Sequence, residues 1–159
     1  SFGTGHHETT SMVMNYILNM NFKGLKVLDV GCGTGILSIL SEKTGASSID
    51  AIDVDKWCYE NTIENSILNK CNFVRAFCGN ITFFEQSKYD IILANINKNI
   101  IMNDISIYSK LLNPRGQLIL SGFYVSDIIE IDNKAKSLKL EIVSEKVKNS
   151  WASIHYMKI

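Results

Sequence analysis

Val27-Leu28-Asp29-Val30-Gly31-Cys32-Gly33-Thr34-Gly35 is a short apolar run that ends in glycines at alternate positions. A buried strand turning tightly into a helix has this form. The apolar residues fill a sheet, and glycine permits the close backbone approach that a ligand at a helix N-terminus requires. The spacing excludes two common phosphate-binding loops. The dinucleotide fingerprint GxGxxG needs glycine at position 36, which is Ile36, and a P-loop needs a Gly-Lys-Ser/Thr ending that is missing.

Outward from this turn the chain alternates strands and helices. Met12, Val13, Tyr16, Ile17 and Met20 fall at helical spacing, which predicts a helix from Glu8 to Met20 closed by Asn21 and Gly24. The strand Lys26 to Val30 and the helix Ile36 to Thr44 flank the glycines. Ser48 to Asp53 is the next strand, and Asp55 is placed to cap a helix whose buried face includes Ile63 and Ile67. Strands follow at Asn72 to Phe77 and Tyr89 to Asn95, then a helix with Ile101, Ile105, Tyr108 and Leu112 on one face. Asn113-Pro114-Arg115-Gly116 turns into the strand Gln117 to Ser121. After a helix from Val125 to Leu138, the runs Leu140 to Val147 and Trp151 to Ile159 form an antiparallel hairpin across Lys148-Asn149-Ser150. This pattern specifies a single α/β domain over residues 1–159. Its fold is a doubly wound, mostly parallel seven-stranded sheet with an antiparallel C-terminal edge hairpin, and ligands of such sheets bind beyond the C-terminal strand ends.

The composition agrees. The 159 residues are 46% hydrophobic and 20% charged, as expected of one globular domain. Sixteen basic residues, only two of them Arg, balance sixteen acidic ones, so the footprint of a direct nucleic-acid binder is absent. Cys32, Cys58, Cys71 and Cys78 form no CxxC pair and read as reduced thiols. No apolar run reaches the length of a membrane span, and a cytoplasmic location is expected.

The residues just after each strand carry the chemistry. Asp53 lies 22 positions after Gly31, near the offset at which an acid reaches a ribose in dinucleotide folds. Gly79-Asn80-Ile81 follows the third strand, where it reads equally as an adenine contact and as an ordinary turn. Asn95 ends the fourth strand and reads as a ligand contact or as the cap of the next helix. No Pro-Pro-Tyr follows it; the next residues are Ile96-Asn97. At the N-terminus His7 has Ser11 four residues on, so there is no His-Glu-x-x-His zinc motif and no metal is expected. Thr9 and Thr10 read either as helix caps or as hydroxyls folded over a ligand.

Asp29-x-Gly31-x-Gly33-x-Gly35 resembles motif I of class I methyltransferases, whose ligand is S-adenosylmethionine. Three more motifs sharpen the likeness: Phe2-Gly3-Thr4-Gly5-His6-His7-Glu8-Thr9-Thr10, Ile52-Asp53-Val54-Asp55 and Leu93-Ala94-Asn95-Ile96. In order along nearly the whole chain, they resemble the catalytic domain of bacterial ribosomal protein L-eleven methyltransferase. The resemblance implies a Rossmann-like enzyme that methylates lysine side chains and the α-amine of the stalk protein L-eleven and releases S-adenosylhomocysteine. It also implies cofactor contacts at Thr10, Gly31, Asp53 and Asn95, within a set that includes Asp29, Gly33, Gly35 and Asn80. Asn95 would position the reacting amine, and Trp151 matches a tryptophan of the family. The family carries a small N-terminal recognition domain ahead of Phe2. This chain starts at Ser1 without an initiator Met, so a catalytic fragment is expected. A methyltransferase for another protein or a small molecule, and a non-catalytic cofactor-binding module, are the alternative readings.

Overall fold

Both faces of the central sheet are buried, which is why its strands read as nearly continuous apolar runs. The structure, a computed structural model, describes residues 7–84 and 86–159. Its elements are α1 (Glu8–Asn19), β1 (Lys26–Val30), α2 (Ile36–Lys43), β2 (Ser48–Asp53), α3 (Lys56–Leu68) and β3 (Val74–Cys78). A 3-10 turn (Ile81–Phe84), β4 (Tyr89–Asn95), α4 (Lys98–Leu111) and β5 (Leu112–Tyr124) follow. A second 3-10 turn (Val125–Asp127) leads into α5 (Ile128–Ser137), and β6 (Leu140–Lys148) and β7 (Trp151–Lys158) end the chain. The sheet order is β3-β2-β1-β4-β5-β7-β6. The first five strands of that order pair in parallel, and β7 pairs antiparallel with both β5 and β6.

Alternate residues of each central strand point to opposite faces and meet different helices. Leu28, Ile92 and Leu118 pack with Ile101, Ile105 and Tyr108 of α4. On the other face Val27, Ile91 and Ile119 pack with Val13 and Ile17 of α1 and Leu37 of α2. Successive connections run outward from β1 to β3, then return to the other side of β1 at β4. That reversal opens a crevice between the C-terminal ends of β1 and β4, and it fixes where a ligand fits.

The structure corrects several expectations. The buried residues of α3 are Thr62 and Ser66, whereas Ile63 is 37% and Ile67 70% exposed. The cap of α1 is His7, whose side chain accepts from the Thr9 backbone, and neither Thr9 nor Thr10 serves as the cap. Residues 113–116 lie within β5 as a bulge: Tyr89 pairs with Leu112 but Ile91 with Gln117, and Arg115 takes φ +64°. The edge hairpin closes through two residues, Asn149 and Ser150, with Lys148 paired to Trp151. Both turn residues have positive φ, 49° and 70°, as the right-handed twist of a two-residue hairpin demands. The helix expected from Val125 begins at Ile128, after its 3-10 turn. No helix among the described residues is long and apolar enough to cross a membrane.

Candidate active site

The glycine turn is held from three sides. Gly31 N–H and Cys32 N–H donate to Ile52 O at 2.8 and 3.1 Å, which ties the end of β1 to β2. Gly33 N–H donates to Asp53 Oδ2 at 3.0 Å. From α3, Thr62 Oγ1 donates to Gly33 O at 3.1 Å and Asn65 Nδ2 to Thr34 O at 2.8 Å. The polar face of α3 is therefore its buried face because it hydrogen-bonds a backbone loop rather than filling an apolar core.

Close approach explains the glycines. At Gly31, φ is +72° and a Cβ would lie 2.3 Å from Ile96 Cγ2. At Gly122, which the sequence pattern did not single out, φ is +100° and a Cβ would lie 2.2 Å from Ile96 O. Ile96, the first residue beyond β4, is thus pressed between two strand ends that only glycine leaves open.

Asp53 ends β2 with a carboxylate aimed by two backbone groups. Oδ2 accepts from Gly33 N–H, and Oδ1 accepts from Asp55 N–H at 3.0 Å. Each oxygen keeps a further lone pair for a ligand hydroxyl. Asp55 is the expected cap of α3, its Oδ1 accepting from Trp57 N–H at 2.8 Å. Asn80 Oδ1 accepts from Thr82 N–H at 3.1 Å and from the Thr82 hydroxyl, so it closes the 3-10 turn as well as facing the cleft.

Asn95 is free of capping duty. Asn97 caps α4 instead, its Oδ1 accepting from Ile100 N–H at 3.0 Å. Asn95 is 7% exposed, and its Nδ2 donates to Thr10 Oγ1 at 3.0 Å, a bond spanning 85 residues of chain. Its Oδ1 is buried with no hydrogen-bond partner among the described residues. An orphaned acceptor of this kind costs about 1–3 kcal/mol, so its presence on a cavity wall points to a donor supplied by a ligand.

These groups meet around one crevice of about 510 Å³, within the usual size of small-molecule sites. It brings together Gly31, Gly33, Asp53, Asn80 and Asn95. Thr10, which has no exposed surface, backs Asn95 there. Asp29 and Gly35 do not reach the wall. Asp29 is 1% exposed behind the loop, where Ser38 Oγ donates to it at 2.6 Å and burial raises its pKa to about 6. Gly35 is the N-cap of α2 with φ +85°, where a Cβ would lie 3.0 Å from Thr62 Cγ2. Cys32 and Ile81, which lie inside the glycine and Gly79-Asn80-Ile81 motifs, also line the cleft, and the sequence missed Cys58, Ile100 and Asp104, which line it without any motif to signal them. Phe2 to His6 of the N-terminal motif lie outside the described residues. His7 is described, and its ring stands 5.1 Å from that of Trp151, which stacks on Tyr124 at 4.2 Å.

Residues 1–158 match the sequence profile of the family described as ribosomal protein L11 methyltransferase (PrmA). A ribosomal protein L11 methyltransferase of Porphyromonas gingivalis is 46% identical over 157 residues, which are 98% of this chain and 54% of that protein. One from Phocaeicola vulgatus is 42% identical over 158 residues, covering 99% of this chain and 56% of the relative. The chain thus spans about half the length of the curated relatives it matches. Among solved structures, the ribosomal protein L11 methylase of Lactobacillus delbrueckii subsp. bulgaricus superposes with a TM-score of 0.91 at 29% identity, covering 98% of this chain and 81% of that one. Sequence and fold agree, and the chain belongs to the ribosomal protein L11 methyltransferase family.

Proposed function

We propose that this chain is a cytoplasmic catalytic domain that binds S-adenosylmethionine in the crevice and directs methyl transfer to amino groups of ribosomal protein L11, on lysine side chains and the α-amine. The observation that carries the reading is the orphaned Asn95 Oδ1 on the cleft wall, within a chain of this family. The cofactor fits the residues present. Asp53 offers two aimed carboxylate oxygens to the ribose hydroxyls, and the Gly31 to Gly33 backbone lets a ligand lie against the strand end. Asn80 borders the same cavity on the β3 side.

When bound, the cofactor supplies an electrophilic methyl group. The rest is alignment. A lysine amine has a reference pKa near 10.4 and reacts only when neutral, so the proton leaves to solvent before transfer. Asn95 Oδ1 then accepts an N–H of the neutral amine and aims its lone pair, while Thr10 fixes the amide so that the oxygen, not the nitrogen, faces the reactant. Holding the amine in line and dry replaces an encounter in solution, and no dedicated base is needed.

The test is mass-detected methyl transfer to a panel of purified ribosomal proteins, with S-adenosylhomocysteine binding followed by calorimetry. Methylation restricted to L11 is the expected outcome. Cofactor binding with transfer only to another protein or to a small molecule would replace the substrate half of the proposal. Absence of cofactor binding would remove all of it.

A further inference from the structure

The crevice wall holds a second acceptor, Asp104, without a partner among the described residues. α4 packs against the Ile81–Phe84 turn, and the two supply facing walls: Asn80 and Ile81 from the turn, Ile100 and Asp104 from successive turns of the helix. Ile100 and Asp104 are four residues apart and share one face of α4. Asp104 is half-buried, and burial is the sole influence on its carboxyl, raising it above the usual carboxylate range. No hydrogen bond or ion pair from a described residue offsets that burial. An acid left in this state on a cavity wall favours a ligand that brings an N–H or O–H to it.

The position of the slot selects the donor. Asp53, at the end of β2, reads as the ribose contact, and Gly79 N–H donates to Asp53 O at 2.9 Å, so the chain entering the Ile81–Phe84 turn lies beside the ribose position. A base attached to that ribose would meet Ile81 and Ile100, which line the same crevice as two aliphatic side chains suited to the faces of a flat ring. Adenine offers an exocyclic amine at its edge. Hypoxanthine offers a carbonyl oxygen there, which a carboxylate repels.

We propose that Asp104 accepts a hydrogen bond from the exocyclic amine of the cofactor's adenine and is the residue that selects adenine over a 6-oxo base. The inference rests on the reading of the crevice as the S-adenosylmethionine site. Tyr108, one turn beyond Asp104, also has a buried hydroxyl without a partner among the described residues. It is the other group that Asp104 could serve, and the test separates the two.

Binding of S-adenosylhomocysteine and of S-inosylhomocysteine is measured by calorimetry on the chain and on its Asp104→Asn and Asp104→Ala variants, with thermal unfolding alongside. Asp104→Ala should weaken S-adenosylhomocysteine about tenfold to a hundredfold, the range for a hydrogen bond to a charged group, and leave S-inosylhomocysteine within about twofold. In Asp104→Asn, whose amide donates as well as accepts, the preference between the two ligands should collapse. Equal weakening of both ligands overturns the proposal. So does unchanged binding with a lowered melting temperature, which would assign Asp104 to Tyr108. Intact cofactor binding with a raised KM for the amine substrate overturns it too, by moving the acid to the acceptor side. If the unaltered chain binds neither ligand, the underlying reading of the crevice fails instead.

Discussion

The two walls of the crevice treat their polar groups differently. On the β1–β2 side every carboxylate has a protein partner: Asp29 holds Ser38, Asp53 holds two backbone N–H groups, and Asp55 caps α3. On the β4–α4 side, Asn95 keeps a buried oxygen and Asp104 a half-buried carboxyl, neither with a hydrogen-bond partner among the described residues. The first wall is a finished piece of folding, its acids spent on shaping a loop. The second is complete only with a ligand in place. Removing a group from the finished wall should therefore disturb stability and binding together, whereas removing one from the open wall should disturb binding or turnover and leave the fold nearly as stable. Natural sites trade stability for function in this way.

The largest effect is expected where the walls meet. Gly122→Ala places a Cβ 2.2 Å from Ile96 O at a φ of +100°, and its nearest neighbours are backbone atoms of Ile96 that have nowhere to go. A loss of about 4 kcal/mol or more in denaturant unfolding is expected, from left-handed strain and overpacking together. A loss below about 1 kcal/mol would show that the β4 and β5 ends part readily, and the contrast between rigid and open walls would lose its frame.

Asp29 tests the finished side from behind its loop, because its hydrogen bond does not repay its burial. Its folded pKa is about 6 against about 3.9 unfolded, so between those values the folded chain holds a proton that the unfolded chain has released. Stability from this group therefore falls as pH rises from about 4 to about 6 and is level above that, by about 3 kcal/mol in all for two pKa units. Asp29→Asn keeps an acceptor for Ser38 and cannot ionise. Unfolding curves of the two proteins should converge near pH 4, with the variant the more stable at pH 7. Parallel curves would mean that Asp29 stays ionised in its pocket.

Asn95→Ala should lower kcat/KM for the amine substrate about a hundredfold, comparable to removal of one aligned hydrogen-bonding group at a reacting centre. Its effect on stability should stay within about 1 kcal/mol, because the lost bond to Thr10 is offset by removal of an unsatisfied oxygen. Asp53→Ala should behave oppositely. It should weaken S-adenosylhomocysteine by about 2 kcal/mol and lower the melting temperature as well, since Gly33 N–H and Asp55 N–H lose their acceptor. If Asn95→Ala unfolded the protein while Asp53→Ala left its melting point alone, the assignment of finished and open walls would be reversed.

The finished wall was also the more legible one. Strand, glycine turn and second strand announce themselves through apolar runs and positive-φ residues, and Asp53 follows from its offset. Sequence periodicity failed on α3 because a helix normally buries its apolar stripe, and this one buries Thr62 and Ser66. The small residue Thr62 lets the helix approach the loop backbone, and Ile63 and Ile67 are left to solvent. Asn95 was legible as the end of β4, but its two candidate roles parted only when Asn97 was seen to cap α4. Gly122 and Asp104 carried no local signal. Their meaning comes from Ile96, which the sheet crossover presses on Gly122, and from the packing of α4 on the Ile81–Phe84 turn, which puts Asp104 on the cavity wall. The cap of α1 is not legible locally because histidine is an uncommon cap, and Thr9 and Thr10, one and two residues inside the helix, are the better candidates by residue type.

The smallest effect belongs to Asp55, and it divides the finished wall itself. Asp55 borders the crevice beside Asp53, so proximity alone makes it a rival for the ribose. Its side chain, however, already accepts from Trp57 N–H at the first turn of α3, and that helix carries the loop through Thr62 and Asn65. Asp55→Ala should lower stability by about 1 kcal/mol, the usual loss of an N-cap, and change S-adenosylhomocysteine affinity by less than about threefold through a slightly looser loop. Asp55→Ser should restore the stability, because a hydroxyl caps as well as a carboxylate. Charge loss without cap loss then leaves binding untouched. If Asp55→Ser regained the melting temperature but bound S-adenosylhomocysteine tenfold more weakly than the unaltered chain, Asp55 rather than Asp53 would hold the ribose, and the carboxylate of Asp53 would serve the loop alone.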